Sequence, residues 1–174
     1  MSLLFIHCAE ASFKDMVQQK TLFLLLGPSQ SGKTQAIKLL SRLIPKDSSN
    51  QLFRAKKWIE CLEVIEINGI RLGITSRSDK FPSFKENFEF LVNEMECSLV
   101  VSAANEKTKG MEPFMDQIQN EGWQLKAIQK YPEFCNRVNK EIQLTLNLES
   151  AKALWSLVEE EIEHRNKDVN CLDD

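Results

Sequence analysis

One short stretch constrains the fold of this chain more than any other: an apolar run, a glycine-bounded loop and an amphipathic segment follow each other without a gap. Residues 21–26 read Thr-Leu-Phe-Leu-Leu-Leu, which is typical of a strand buried on both faces, as in a parallel sheet. Residues 33–44 place Ile37, Leu40 and Ile44 on one stripe, which predicts a helix that Pro45 terminates. The sequence therefore predicts a strand–loop–helix unit.

The rest of the chain alternates short strands with helices. Residues 62–67 and 70–75 are predicted to form a hairpin, because Asn68-Gly69 favours a two-residue turn. Residues 48–54 are polar and are predicted to be loop. The remaining predicted strands are 98–103 and 123–130, and the remaining predicted helices are 83–95, 112–121 and 148–162. This order predicts an α/β fold with a mostly parallel sheet, helices on both faces and the hairpin at one edge.

Length and composition indicate one domain. The chain has 174 residues, enough for one domain with a hydrophobic core, and no internal repeat or low-complexity linker divides it. We expect a single domain over residues 1–174, with a core at 21–130 and a C-terminal helical region at 132–163. A net charge of −3 gives no indication of a nucleic-acid partner. No apolar run approaches a membrane span, so no membrane partner is expected either.

The cysteines indicate the compartment. Five cysteines are scattered along the chain, and none forms a CxxC pair. Such a set is typical of reduced thiols rather than of a disulfide framework or a zinc site. We therefore expect a cytoplasmic protein.

The loop after the first predicted strand is a candidate phosphate-binding site, because it matches the pattern GxxxxGK[ST]. It consists of Gly27, Pro28, Ser29, Gln30, Ser31, Gly32, Lys33 and Thr34. The two glycines let the backbone wrap closely around a phosphate, and the loop amides meet the positive end of the following helix. Pro28 has no N–H, so the donors come from residues 29–34.

Two side chains of this loop have predicted roles toward a nucleoside triphosphate with Mg²⁺. Lys33 places a cation on the β- and γ-phosphates and is a predicted catalytic residue, and Thr34 offers its hydroxyl to the metal. Gln35, the next residue, completes the predicted nucleotide-binding set.

With this loop the chain resembles the P-loop NTPase superfamily, sharply in Gly27 to Thr34 and as an architecture over residues 21–129. The resemblance implies a three-layer fold of the P-loop NTPase type that binds ATP and Mg²⁺. The second half is also similar to a group of small bacterial ATP-binding P-loop proteins. The shared traits are a hairpin strand that ends in a polar, acidic turn, at 74–79, and a strand followed by a basic loop, at 103–110.

P-loop enzymes hold Mg²⁺ with a carboxylate beyond a neighbouring strand. Asp79 is our candidate for this metal-side, catalytic acid, although polar residues separate it from the strand at 70–75. The alternative is an exposed loop aspartate that caps the following helix. Glu63 and Glu66 are weaker candidates, because they lie inside a predicted strand.

Basic residues near the predicted strand ends allow two readings each. Lys107, Thr108 and Lys109 either touch the nucleotide or an acceptor, or form a solvated loop. Arg77 is either a phosphate clamp or a surface arginine. Residues 53–58 mix aromatic and basic side chains, which either grip a phosphate or a nucleic-acid strand, or divide into packing and solvated charge. The residues of this segment that matter are Phe53, Arg54, Lys56, Lys57 and Trp58.

Three functions remain open from the sequence. The first is a Mg²⁺-dependent NTPase, the second is a kinase that transfers the γ-phosphate to a small molecule or nucleotide, and the third is a nucleotide-controlled module that binds a protein partner. A GTPase is disfavoured, because the sequence contains neither an NKxD motif nor a DxxG motif after a strand. ATP is the expected nucleotide.

Overall fold

The computed structural model describes residues 19–55, 60–76, 80–105, 107–130 and 140–170, without the side chains of 169 and 170. The strands in this part of the chain are β1 Thr21–Leu26, β2 Ser49–Arg54, β3 Leu62–Ile67, β4 Ile70–Thr75, β5 Leu99–Ala104 and β6 Gln124–Gln129. The helices are α1 Lys33–Leu43, α2 Phe81–Glu89, α3 Met111–Asn120 and α4 Lys140–Asn170, and α2 continues into a π-helical turn, Phe90–Glu94.

The six strands form one sheet in the order β2-β3-β4-β5-β1-β6. Strands β4, β5, β1 and β6 run parallel, whereas β2, β3 and β4 pair antiparallel. This arrangement confirms the predicted α/β class and the mostly parallel sheet. The predicted hairpin β3–β4 lies toward one end of the sheet, but the edge itself is formed by the additional strand β2.

Helices cover both faces of the sheet, and β1 contributes to both. Leu22 and Leu24 point into a core formed with α2, the π-helical turn and α3. Phe23 and Leu25 point to the opposite face, into a core formed with α1 and α4. Because all four side chains are buried, β1 shows the continuous apolar run of a central parallel strand instead of an alternating pattern.

The predicted hairpin is present, with β3 and β4 joined at Asn68 and Gly69. Their φ angles are 51° and 79°, so both turn residues are left-handed. This backbone is the one that Asn-Gly adopts most readily in a two-residue turn, and it sets the pair Ile67–Ile70 directly opposite each other.

The prediction of a loop at 48–54 is wrong, because this segment is the edge strand β2. Its residues are mostly exposed and show no apolar alternation, so the pattern that identifies a half-buried strand is missing. The strand is held by its backbone pairing with β3 and by Gln51 and Arg54, which both donate hydrogen bonds to the Glu63 carboxylate.

Several helix boundaries differ from the predicted ones. Helix α1 ends at Leu43, because Ile44 is extended (φ −62°, ψ 125°), as expected for a residue before proline. Helix α2 begins at Phe81 with Pro82 in its first turn. Helix α4 is longer at both ends than the predicted 148–162. Pro132, predicted to open the C-terminal helical region, lies outside the described residues.

Two cysteines of the described part, Cys61 and Cys97, are free thiols. Burial raises the pKa of Cys97 to about 12, partly opposed by the charge of Arg71. Burial and the neighbouring Glu63 also raise the pKa of Cys61 far above its usual range. Both thiols are therefore weak nucleophiles at neutral pH. The other three cysteines lie outside the described residues.

None of the helices in the described part of the chain is long and apolar enough to cross a bilayer.

Candidate functional site

The carboxyl ends of the four parallel strands lie at one edge of the sheet. The chain leaves this edge at Ser76 after β4, Asn105 after β5, Gly27 after β1 and Lys130 after β6. Two backbone hydrogen bonds extend the sheet past the strands: the Gly27 N–H donates to Ala104 O at 3.2 Å, and the Lys130 N–H donates to Leu26 O at 2.8 Å. In open α/β sheets, ligands bind beyond this edge.

Both glycines of the loop between β1 and α1 are required by their surroundings. A Cβ on Gly27 would lie 3.0 Å from the Lys130 carbonyl oxygen and 3.2 Å from the Ser31 hydroxyl. Gly32 is left-handed (φ 84°), and a Cβ there would press into the Asn147 amide, 3.0 Å from Nδ2. The loop is therefore wound tightly and is packed against two residues from later in the chain.

Helix α1 begins directly after Gly32 without a side-chain cap. Its first turn contains no acidic residue, and its first regular bond runs from the Ala36 N–H to Gly32 O at 3.0 Å. The amides before Ala36 have no partner within the helix, and they carry the positive end of the helix dipole. This helix start therefore offers donors and partial positive charge to an anion.

Lys33 folds back across the loop. Its side chain is only 4% exposed, and Nζ donates a hydrogen bond to the Pro28 carbonyl oxygen at 2.6 Å. The flexible lysine stem thereby holds a positive charge inside the loop, between its first and last residues. The Lys33 ammonium therefore lies within the loop between β1 and α1.

The Ser31 hydroxyl is another polar group inside the loop. Among buried side-chain nitrogen and oxygen atoms of the described residues, Oγ of Ser31 is the one without a hydrogen-bond partner. A buried hydroxyl without a partner costs free energy, so such groups in native proteins usually have a function or a missing partner. A phosphate oxygen is an acceptor that would satisfy it.

The other residues of the predicted nucleotide-binding set belong to the same loop or to the first turn of α1. Thr34 is partly buried beside Lys33, whereas Ser29, Gln30 and Gln35 are exposed. Gln30 is left-handed with φ 62°, so the backbone of the loop turns sharply at this residue. The charge and the donors of the loop fit a polyanion such as a triphosphate.

Two residues at this loop were missed from the sequence. Lys130 follows β6, Asn147 belongs to α4, and both side chains are more than nine-tenths buried. The Lys130 ammonium donates a hydrogen bond to Oδ1 of Asn147. One signal existed for Asn147: it is a polar residue on the helix stripe that continues with Ala151 and Leu154, both completely buried.

The predicted metal-side acid, Asp79, and the predicted clamp, Arg77, lie outside the described residues. The end of β4 just before them is polar and well connected. Thr75 accepts a hydrogen bond from Nδ2 of Asn87 at 3.0 Å, and Ser76 accepts one from the Cys61 N–H at 2.7 Å.

The two weaker candidates for the acid are engaged elsewhere. Glu63 is completely buried and forms an ion pair with Arg54 at 2.9 Å, whereas Glu66 lies 3.9 Å from Arg71. Both belong to β3, which β4 and β5 separate from β1. Neither carboxylate therefore lies at the loop.

The described residues of the basic loop after β5, 105 and 107–110, lie at the same edge of the sheet. Asn105 accepts a hydrogen bond from the Lys107 N–H through Oδ1 at 3.1 Å, and its carbonyl accepts one from the Thr108 N–H at 2.9 Å. Lys107 and Lys109 are exposed. The structure thus places both lysines on the rim, directed to solvent.

The mixed aromatic and basic segment at 53–58 is only partly described. Phe53 packs against Phe90 with ring centroids 5.3 Å apart, and Arg54 binds Glu63. These contacts favour the packing interpretation for both residues. Lys56, Lys57 and Trp58 lie outside the described residues.

Within the described residues, no group of three or more His, Cys, Asp or Glu side chains is arranged to hold a metal ion. Comparison with protein-family models, with curated proteins and with solved structures gives no match to this chain.

Proposed function

We propose that this chain has a P-loop NTPase-type fold, binds ATP with Mg²⁺ in the loop from Gly27 to Thr34, and hydrolyses it. The observation that carries the proposal is the buried Lys33 ammonium, held inside a tightly wound loop at the uncapped start of α1. The partnerless Ser31 hydroxyl gives additional support. All three features offer positive charge or hydrogen-bond donors in one place, as a triphosphate requires.

The residues of the loop have distinct roles in this proposal. The amides of residues 29–34 and the Lys33 ammonium bind phosphate oxygens and stabilise the charge that develops during hydrolysis. The Thr34 hydroxyl and Asp79 hold the metal side, with Asp79 remaining a prediction from the sequence. Bound ATP supplies the phosphoanhydride bond, and Mg²⁺ neutralises phosphate charge.

The loop after β5 favours a phosphotransferase as the second candidate. It places Asn105 and two exposed lysines at the edge of the sheet that carries the phosphate loop. An anionic acceptor bound there would be close to the nucleotide. This candidate differs from the first in one requirement, namely a second substrate.

Phosphate release separates these candidates. We expect purified protein to release phosphate from ATP with Mg²⁺ and without an acceptor. Turnover that requires one compound from a panel of nucleosides, nucleotides and sugars would establish a kinase instead. Tight binding without turnover under either condition would establish a nucleotide-controlled binding module.

Lys33→Ala tests the site itself. We expect this variant to lose at least about tenfold in ATP affinity, because it removes a charge-assisted contact to phosphate. Lys46→Ala is the matched control, because it removes the same charge from an exposed position beyond α1. Equal affinities for wild type, Lys33→Ala and Lys46→Ala would reject the assignment.

The predicted metal-side acid has its own test. We expect Asp79→Asn to raise the Mg²⁺ concentration needed for half-maximal turnover while ATP affinity without metal stays unchanged. An unaltered Mg²⁺ response would show that Asp79 is the exposed loop residue of the alternative interpretation.

A further inference from the structure

Lys130 contacts the phosphate loop in two ways. Its backbone packs against Gly27, where an added Cβ would lie 3.0 Å from its carbonyl oxygen and 3.3 Å from its Cβ. Its ammonium donates to Oδ1 of Asn147, and the amide of Asn147 in turn packs on Gly32. Lys130 thus reaches the first glycine of the loop directly and the second through Asn147.

We propose that Lys130 is a second phosphate-binding cation of this site and that Asn147 is its positioning residue. The inference rests on the proposed function, since it needs a polyphosphate in the loop. It adds a ligand from β6 and a positioning group from α4, neither of which belongs to the loop motif.

The two lysines reach the loop from different elements. Lys33, at the start of α1, binds Pro28 O, whereas Lys130 follows β6, the strand beside β1. Both are more than nine-tenths buried. A polyanion bound beside both lysines would be attracted strongly, because opposite charges interact strongly where water is excluded.

Asn147 suits a positioning role because it is buried and neutral. It lies on the α4 stripe that packs against α1, with Ala151 and Leu154 completely buried on the same stripe. Its carbonyl oxygen holds the Lys130 ammonium beside the loop, yet it carries no charge that would compete with a phosphate for this cation. The long stem of lysine then allows the ammonium to turn from the amide to a phosphate oxygen.

Lys130→Met tests the cation, with Lys152→Met as the matched control. Lys152 lies on the exposed face of α4, where it pairs with Glu149. We expect calorimetric titration of Lys130→Met to show at least about tenfold weaker binding of both Mg²⁺–ATP and inorganic tripolyphosphate. Lys152→Met should bind both ligands as wild type does. Lys130→Arg keeps the positive charge and should retain affinity within a few-fold.

The outcomes separate this inference from the proposed function. If Lys33→Ala weakens binding but Lys130→Met binds both ligands as wild type does, the loop remains the site and Lys130 is not a ligand. If Lys130→Met lost affinity for Mg²⁺–ATP but not for tripolyphosphate, Lys130 would contact the nucleoside instead of the phosphates. That result would also overturn the inference. Absence of binding to wild type would reject the proposed function and the inference together.

Asn147→Asp tests the positioning role and does not depend on whether Lys130→Met folds. Asp has nearly the shape of Asn but adds a carboxylate against the Lys130 ammonium. We expect the melting temperature of the free protein to stay equal or rise, while affinity for tripolyphosphate falls at least about tenfold because the cation is held away from the phosphate. If Asn147 had only a structural role, the affinity for tripolyphosphate would fall only if the melting temperature fell as well. Affinity within twofold of wild type in this variant would contradict the positioning role.

Discussion

At the scale of single residues, the loop from Gly27 to Thr34 combines a backbone requirement with a packing requirement. Gly32 needs a left-handed φ of 84°, and it also has no room for a side chain because the Asn147 amide occupies that space. Gly69 in the hairpin needs nearly the same φ, 79°, but no atom lies within 4 Å of its Cβ position. Substitutions at these two glycines therefore distinguish the free-energy cost of a left-handed backbone from the cost of a steric collision.

We predict that Gly32→Ala destabilises the protein more than Gly69→Ala. The conformational cost is about 1–2 kcal/mol for both, and collision with Asn147 adds about 1–3 kcal/mol at Gly32 alone. Chemical denaturation of the two variants measures this difference. Equal losses would mean that the contact between Gly32 and α4 carries no packing energy.

Ser31 leads to a prediction of opposite sign for stability and binding. Ser31→Ala removes a buried hydroxyl without a partner, so we expect the free energy of unfolding to stay within about 0.5 kcal/mol of wild type or to increase. We also expect Mg²⁺–ATP to bind several-fold more weakly, since a donor to phosphate is lost. Denaturation together with titration tests both parts. A clear loss of stability with unchanged affinity would show that the hydroxyl has a structural partner.

At the scale of secondary-structure elements, α4 is fixed at both edges of the sheet. At the carboxyl edge, Asn147 packs on Gly32 in the loop between β1 and α1. At the amino edge, Glu161 accepts hydrogen bonds from Lys126 at 2.7 Å and from Arg165 at 3.0 Å, and Arg165 also donates to Ser98 at 3.0 Å. This polar network ties the helix to β6 and to the residue before β5.

The Glu161 network predicts a specific pH dependence of stability. Burial by itself would raise the pKa of Glu161, but hydrogen bonds and charge from Lys126 and Arg165 outweigh burial and lower the pKa below its ordinary value of 4.5. The unfolded chain therefore binds the proton more readily than the folded one. The contribution of Glu161 to stability is thus complete above that ordinary value, and it is lost as the pH falls through the lowered folded-state pKa.

Glu161→Gln should flatten the fall in unfolding free energy on the acid side, because this carboxylate can no longer be protonated. Glu160→Gln is the control, since Glu160 is exposed on the same helix. Urea denaturation between pH 3 and pH 7 measures the unfolding free energy of both variants and of wild type. We expect its pH dependence to differ from that of wild type only for Glu161→Gln. The same fall in unfolding free energy at acidic pH in both variants would contradict the assignment of this pH dependence to Glu161.

The edge strand β2 depends on one buried carboxylate. Glu63 is completely buried, and Arg54 is its charged partner although the arginine itself is 60% exposed. We expect Arg54→Ala to lower the free energy of unfolding by about 1–2 kcal/mol, because the buried Glu63 carboxylate loses its charged partner. The loss is limited because Gln51 remains as a hydrogen-bond donor to Glu63. Lys152→Ala, which removes an exposed pair on α4, should cost less than about 0.5 kcal/mol. Similar small losses in both variants would mean that β2 is held by its backbone pairing alone.

The elements that the sequence predicts well are those with strong periodicity or a decisive turn. Strand β1 is apolar after Thr21, β5 is apolar except for Ser102, and the hairpin has its Asn-Gly turn. Strand β2 was missed because an edge strand with polar residues on both faces has no such pattern. The contacts of Lys130 and Asn147 could not be predicted, because they depend on how β6 and α4 are placed beside the loop, far apart in sequence.

At the scale of the whole molecule, one face of the sheet supports the candidate site. Helices α1 and α4 pack on this face and share a core that includes Ile37, Leu40 and Val158. The loop from Gly27 to Thr34 leads into α1, and α4 packs on the loop through Asn147. A polyanion bound at this loop would therefore stabilise the packing of two helices and a sheet, so binding should be visible in the stability of the entire protein.

Calorimetric titration of wild-type protein with Mg²⁺–ATP, paired with the melting temperature, tests the central claim most directly. We predict saturable heat for wild type and at least about tenfold weaker binding for Lys33→Ala. With ATP at a hundred times its Kd, the free energy of unfolding of wild type should increase by about 2.7 kcal/mol. For a chain of this size, that increase corresponds to a rise in melting temperature of about 5–10 °C. No heat from wild type and an unshifted melting temperature would contradict the account.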